Sequence, residues 1–151
     1  MEEIQYVGET LWVGQIGNLA IVLGFVSALF ASISYFTATQ ARGTSTYISW
    51  KNLGKIGYII HSISIISLMG IIFYAMWNQM YEYKYVFEHV SDDLPLKYVL
   101  SAFWEGQEGS FMLWMFWHII LGLIILFNKN KFEAPVMMVI ALVEVWINTM
   151  Y

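Results

Sequence analysis

The sequence predicts an all-α, polytopic membrane protein with four transmembrane helices and its N-terminus outside. Two observations set the class and a third sets the orientation. Apolar residues make up 59 % of the chain and charged residues 12 %, about half the charged share of a soluble domain. Four stretches are poor enough in charge, and long enough, to approach the roughly 20 apolar residues that cross a bilayer core. Backbone polar groups in hydrocarbon must pair within their own segment, so such stretches are helices. Buried helices of a soluble bundle are also apolar all round, but here the connecting segments are too short to supply the polar faces such a bundle needs. The third observation is the uneven division of lysine and arginine. Arg42, Lys51 and Lys55 precede the second stretch, Lys129 and Lys131 precede the fourth, and only Lys84 and Lys97 lie on the other side. Basic loops stay cytoplasmic, which places 37–55 and 128–133 inside and 78–109 outside.

The elements follow in order. Residues 1–18 form an outer lead-in with Trp12 suited to the interface. Its opening "MEEIQYVGET" is acidic where a signal peptide would be basic, so the N-terminus is expected to be retained and translocated. Residues 19–36 are the first span, with Ala20, Gly24 and Ala28 at a spacing that lets another helix approach closely. Residues 56–77 are the second span and contain His61. The outer segment 78–109 is rich in tyrosine: "YEYKYVF" alternates well enough for a short strand, while Tyr81, Tyr83 and Tyr85 equally suit the headgroup level. "SDDLP" is a turn. Residues 110–127 are the third span, containing His118. Residues 134–151 are the fourth, which carries Glu144 and Asn148. No cysteine is present, which removes disulfides, thiolate nucleophiles and cysteine metal sites. The acidic balance argues against nucleic acid as a partner.

The densest polar group lies where the outer segment meets the third span, in "FWEGQEGSFMLW", Phe103–Trp114. Gly106 and Gly109 relax the backbone and permit positive φ, so Trp104–Gly109 is expected to be a loop with Ser110 as N-cap of the third helix. Glu105 and Glu108 would sit at the positive end of that helix, with Trp104 and Trp114 at interface depth. A capped helix start explains each residue type. It does not explain why every position from Glu105 through Gln107 to Ser110 is polar or glycine, and a binding loop stays open beside it.

This segment resembles the tryptophan–x–glycine–x–glutamate–glycine–serine–x–x–leucine–tryptophan signature of CcmF-type cytochrome c biogenesis proteins, the membrane heme-handling family related to the CcsA type. The matching positions are Trp104, Gly106, Glu108, Gly109, Ser110, Leu113 and Trp114. "LPLKYVLSAFW" before it and "VGQIGN" at Val13–Asn18 resemble the same family, as does the order of two helices before the motif and one after. The resemblance implies a multi-pass protein of the bacterial cytoplasmic (inner) membrane. Such a protein accepts heme on the outer face and presents it to the CXXCH motif of an apocytochrome c. A heme chaperone and other maturation subunits would be its partners, alongside the lipid bilayer. The family's tryptophan-rich, aspartate-containing heme loop has no counterpart here. Only the N-terminal part of the family is matched, a heme-lyase activity would belong to the longer protein, and the heme ligands are expected outside this segment.

The histidines are weighed from their own surroundings. His89, beside Glu88 and before Asp92 and Asp93, is either a surface residue or a contact for heme or a partner. With the second helix starting at residue 56, His61 lies near its cytoplasmic end and is expected to be structural. His118 and Glu144 come to similar depth on two antiparallel helices joined by a short loop. They are expected to face the interior and share a hydrogen bond, as helix-bundle glue or in a proton or heme-related role. Trp114, His118 and Gly122 share one face, expected to pack inward. No protein metal site is expected. The functional expectation is therefore the N-terminal part of a cytochrome c maturation protein, with Trp104–Ser110, Trp114 and His89 as heme- or partner-contact candidates. Its rivals are a small four-helix accessory or assembly subunit without cofactor, and a proton-coupled transporter or channel fragment that uses His118 and Glu144.

Overall fold

The structure, a computed structural model, describes residues 10–128 and 130–150. The expectations for 1–9, Lys129 and Tyr151 lie outside the described residues. The described residues form six helices and no strand: α1 (Leu11–Gln40), α2 (Tyr47–Trp77), α3 (Lys84–His89), α4 (Leu96–Glu105), α5 (Gln107–Phe127) and α6 (Glu133–Asn148). Of these, α1, α2 and α5 are long and apolar enough to cross a membrane. α6 has 16 residues, about 24 Å at 1.5 Å per residue.

The long helices outrun the stretches picked out by hydropathy. α1 takes in "VGQIGN" and "TATQ", and α2 starts nine residues before Ile56, taking in Lys51 and Lys55. Long side chains carry their charged heads away from an apolar wall, so lysine does not stop a helix whose backbone is already paired. α6 starts at Glu133 with Pro135 in its first turn, where a missing N–H is harmless and φ is preset.

α1 and α2 form the tightest pair, and small residues explain it. Ala20, Gly24, Ala28 and Ala31 of α1 are buried, as are Gly54 and Gly57 of α2. A Cβ on Gly57 would come within 2.8 Å of the Phe30 ring and 3.2 Å of the Ala31 backbone nitrogen. α6 packs on the other side of α1, and α5 closes on α2 and α6. At the α2–α5 crossing the Tyr58 hydroxyl donates to the His118 carbonyl at 2.8 Å. Only a glycine at 122 admits the Tyr58 ring.

The segment between α2 and α5 departs from expectation. "YEYKYVF" is not a strand: Lys84–His89 is the short helix α3, and the tyrosines tie the segment together. Tyr83 donates to the Thr10 carbonyl at 2.6 Å and accepts from the Gly14 amide at 2.9 Å, which pins the start of α1. Tyr81 donates to Asp92 at 2.7 Å. "SDDLP" does turn, with the Leu94 amide on the Ser91 carbonyl, and Pro95 leads directly into α4.

Candidate functional site

The Trp104–Gly109 loop does not exist as a loop. α4 runs through Glu105 and α5 begins at Gln107, so the break is the single extended residue Gly106, φ −77° and ψ 162°. Neither motif glycine has positive φ; among the described residues only Gly43 and Gln79 do. What the glycines supply is closeness. A Cβ on Gly106 would lie 2.6 Å from His89 Nε2, and one on Gly109 would fall on the Phe103 carbonyl oxygen and 2.7 Å from the Tyr85 hydroxyl. Ser110 is correspondingly not an N-cap. It sits inside α5, and its hydroxyl donates back to the Gly106 carbonyl at 3.1 Å and the Trp104 carbonyl at 3.4 Å. Gly106 takes the cap position, and Glu108 lies in the first turn of α5, where the helix dipole favours negative charge.

The corner therefore has two sides. Gly106 and Gly109 face inward, whereas Trp104, Glu105, Gln107, Glu108 and Ser110 are exposed. Tyr85 locks the inner side, donating to the Phe103 carbonyl at 2.5 Å and so satisfying a backbone oxygen near the end of α4. Burial, and after it the nearby Glu108 carboxylate, push the Tyr85 phenol up to about 12. The neutral phenol is the hydrogen-bonding form, so its contribution to stability is whole below about pH 10 and is lost as pH climbs toward 12. A spectrophotometric titration of Tyr85→Phe is expected to lack one late tyrosinate step that the natural chain shows. A cavity of about 270 Å³ opens beside this corner, with Lys84, Tyr85, Glu88 and Glu108 at its polar rim and Ile72 and Met112 at its floor.

His89 is held in the same contact set. Its Nδ1 lies 2.9 Å from the Tyr85 carbonyl, its ring stacks on Tyr85 at 4.3 Å, and its Nε2 points at Gly106. Nδ1 is taken by the Tyr85 carbonyl, and Nε2 faces the space that a side chain at Gly106 would fill. The cavity is also small beside the 300–1,000 Å³ usual for ligand pockets. No group of three or more metal-ligating side chains occurs among the described residues.

The second polar constellation lies at mid-helix. His118 Nδ1 is 2.7 Å from Glu144 Oε1. The other carboxylate oxygen, Oε2, is 2.9 Å from Nε2 of His61, and the remaining His61 nitrogen, Nδ1, is 2.9 Å from the Gly24 carbonyl oxygen. Glu144 and His61 are fully buried, and the His118 side chain is 30 % exposed. His61 is not near the cytoplasmic end of its helix, as its distance from residue 56 suggests. Counted from the true start of α2 at Tyr47 it is fourteen residues in, about 21 Å along the helix and near its centre. Gly54, Gly57 and Tyr58, buried on the same side of α2, were the available signal. The shared face of Trp114, His118 and Gly122 also splits: Gly122 is buried, but Trp114 is 58 % exposed, because the buried stripe of α5 runs through Gly109, Met112, Met115, Ile119 and Gly122 and leaves Trp114 to one side.

Towards the start of α6, Lys51 pairs with the buried Glu133 at 3.1 Å. Towards its end, Asn148 is 3 % exposed with neither amide atom hydrogen-bonded.

No protein-family model and no solved structure matches the chain. The chain is 26 % identical over 103 residues to the cytochrome c-type biogenesis protein NrfE of Haemophilus influenzae, an alignment covering 68 % of this chain. That alignment takes in only 15 % of the relative's length. The three apolar helices point to a membrane protein, and its similarity to the cytochrome c-type biogenesis protein is weak and confined to a small part of that relative.

Proposed function

We propose that this chain is the N-terminal, membrane-embedded part of a CcmF-like cytochrome c maturation protein, in which the α4–α5 corner serves as a docking edge on the outer face. In this reading α6 is the fourth span, the N-terminus is outside, and the membrane is the bacterial cytoplasmic one. The observation that carries the reading is the division of the motif between two sides of a one-residue corner. Its glycines are consumed by packing against Tyr85, His89 and Phe103, while Trp104, Glu105, Gln107 and Glu108 are turned outward. A helix start needs one cap and one carboxylate. An exposed tryptophan flanked by two carboxylates and an amide offers a partner an apolar anchor inside a hydrogen-bonding rim.

Heme, when bound by the longer protein, supplies the group that becomes attached to the apocytochrome. This segment's residues position the outer edge and do not ligate iron. His89 helps to brace the corner, and its contact with Gly106 keeps α3 against it. The test is made in the source organism with the natural full-length product. Deleting the gene should abolish covalent heme in c-type cytochromes, as seen by peroxidase staining of denaturing gels. The pair Trp104→Ala with Glu105→Ala, at unchanged protein level, should reduce that stain at least several-fold. Unchanged holocytochrome in the deletion strain would overturn the reading.

A further inference from the structure

From the His61–Glu144–His118 cluster we infer a second site, a reversible proton-binding site at the centre of the helix bundle whose three side chains titrate as one unit. This inference is independent of the maturation reading and rests on counting hydrogens. A carbonyl oxygen can only accept, so His61 Nδ1, 2.9 Å from the Gly24 carbonyl, must carry a hydrogen. The contact between His61 Nε2 and Glu144 Oε2 at 2.9 Å holds one more, and the contact between His118 Nδ1 and Glu144 Oε1 at 2.7 Å holds another. Three hydrogen bonds contain three protons. On two imidazoles and one carboxylate that count gives zero net charge, whether the middle proton rests on Nε2 or on Oε2. A lone carboxylate at bilayer centre is costly, and this count removes the cost without removing the acid.

One nitrogen is left over. Among the described residues His118 Nε2 has no hydrogen-bond partner, and its side chain is the part of the cluster that reaches the bundle surface. A fourth proton binds there as a new N–H bond on Nε2, and the net charge of the cluster goes from zero to plus one. The added charge is shared, because the Nδ1 proton of His118 lies against Glu144 and Glu144 lies against His61. Groups coupled this closely titrate with midpoints that belong to the set. A second observation marks the place as polar in purpose. Asn148, four residues after Glu144 on α6, is buried with both amide atoms unpartnered, and its Nδ2 packs within 3.1 Å of the Cβ position of Gly24, whose carbonyl holds His61.

The surroundings contain little else that titrates. α1 offers the Gly24 carbonyl and the Ser27 hydroxyl, with Tyr35 eleven residues away. α2 adds Tyr58, whose ring lies 5.9 Å from that of His61 and whose hydroxyl is already given to the His118 carbonyl. α5 and α6 contribute His118 and Glu144 themselves. The next charge along α2 is Lys55, six residues from His61 and about 9 Å away along the axis, with its ammonium over the Phe127 ring; the Lys51–Glu133 pair lies one turn further.

The experiment is nitrogen NMR of the full-length protein, labelled in its histidine rings and held in lipid nanodiscs, followed against pH. As pH falls, His118 Nε2 should gain a proton, and the His61 Nε2 signal should move with the same midpoint. In Glu144→Gln the amide accepts from His118 and donates to His61. The bundle should then stay folded while the common midpoint is lost and His61 Nε2 remains unprotonated where the natural chain responds. Should that variant not fold, the infrared carboxyl band of carbon-13 glutamate in the natural protein supplies the readout, shifting at the histidine midpoint. The inference is overturned if His118 Nε2 is indifferent to pH, including by showing the shift of a metal-bound nitrogen. Independent midpoints for the two histidines in the natural protein overturn it as well.

Discussion

Glu144→Ala is expected to be the most damaging single substitution in the membrane-spanning part, lowering stability by about 3–5 kcal/mol, the usual cost of removing one partner from a buried charged set. The loss has three parts. His61 Nε2 and His118 Nδ1 both lose their only partner on α6, leaving two imidazoles unsatisfied. The removed carboxylate also leaves a space where α2, α5 and α6 meet. In addition, Tyr58 to the His118 carbonyl and His118 to Glu144 tie α5 to the bundle's polar interior among the described residues, and one of the two disappears. Thermal unfolding in detergent, followed by circular dichroism, measures the effect. Glu144→Gln should recover most of it, because an amide can accept on one side and donate on the other. An alanine variant as stable as the natural chain would mean that the cluster contributes nothing to cohesion.

Gly109→Ala should be nearly as severe, at about 3 kcal/mol, the upper end of overpacking costs. The added methyl falls on the Phe103 carbonyl oxygen and close to the Tyr85 hydroxyl, and neither can retreat. The carbonyl belongs to the end of α4, and the hydroxyl is hydrogen-bonded to that same carbonyl. The corner must open, which also exposes Phe103, now 2 % accessible. Limited proteolysis should detect new cleavage between residues 90 and 106 before any loss of helix content, since α1 and α2 pair with each other along small residues far from the corner. Gly106→Ala meets the end of a histidine ring, which can rotate, so a smaller effect is expected there.

The two sites were legible to different degrees. Depth along two antiparallel helices is simple arithmetic, and it puts His118 and Glu144 at one level; their atoms are 2.7 Å apart. His61 was misplaced because hydropathy marks where a helix becomes apolar. The helix itself starts at Tyr47, nine residues earlier. The motif glycines were assigned to backbone freedom, the commonest use of glycine. Their actual use is steric: Phe103, Tyr85 and His89 fill the space where side chains would be, and which neighbours arrive there is tertiary information. The same holds for "YEYKYVF", where alternation suggested a strand. Partners on α1, α4 and the Asp92 turn make each tyrosine a tether on or beside a short helix.

The two ends of α6 are held very differently. At Glu133 the helix is clamped by Lys51, and the Arg42 guanidinium donates to the Lys131 carbonyl just before it. At Asn148 the buried amide holds nothing. Apolar packing through Ile147 is what holds that end, and segments with few satisfied polar partners are the first to open. Hydrogen–deuterium exchange along α6 is therefore expected to be faster beyond Glu144 than at the Glu133 end.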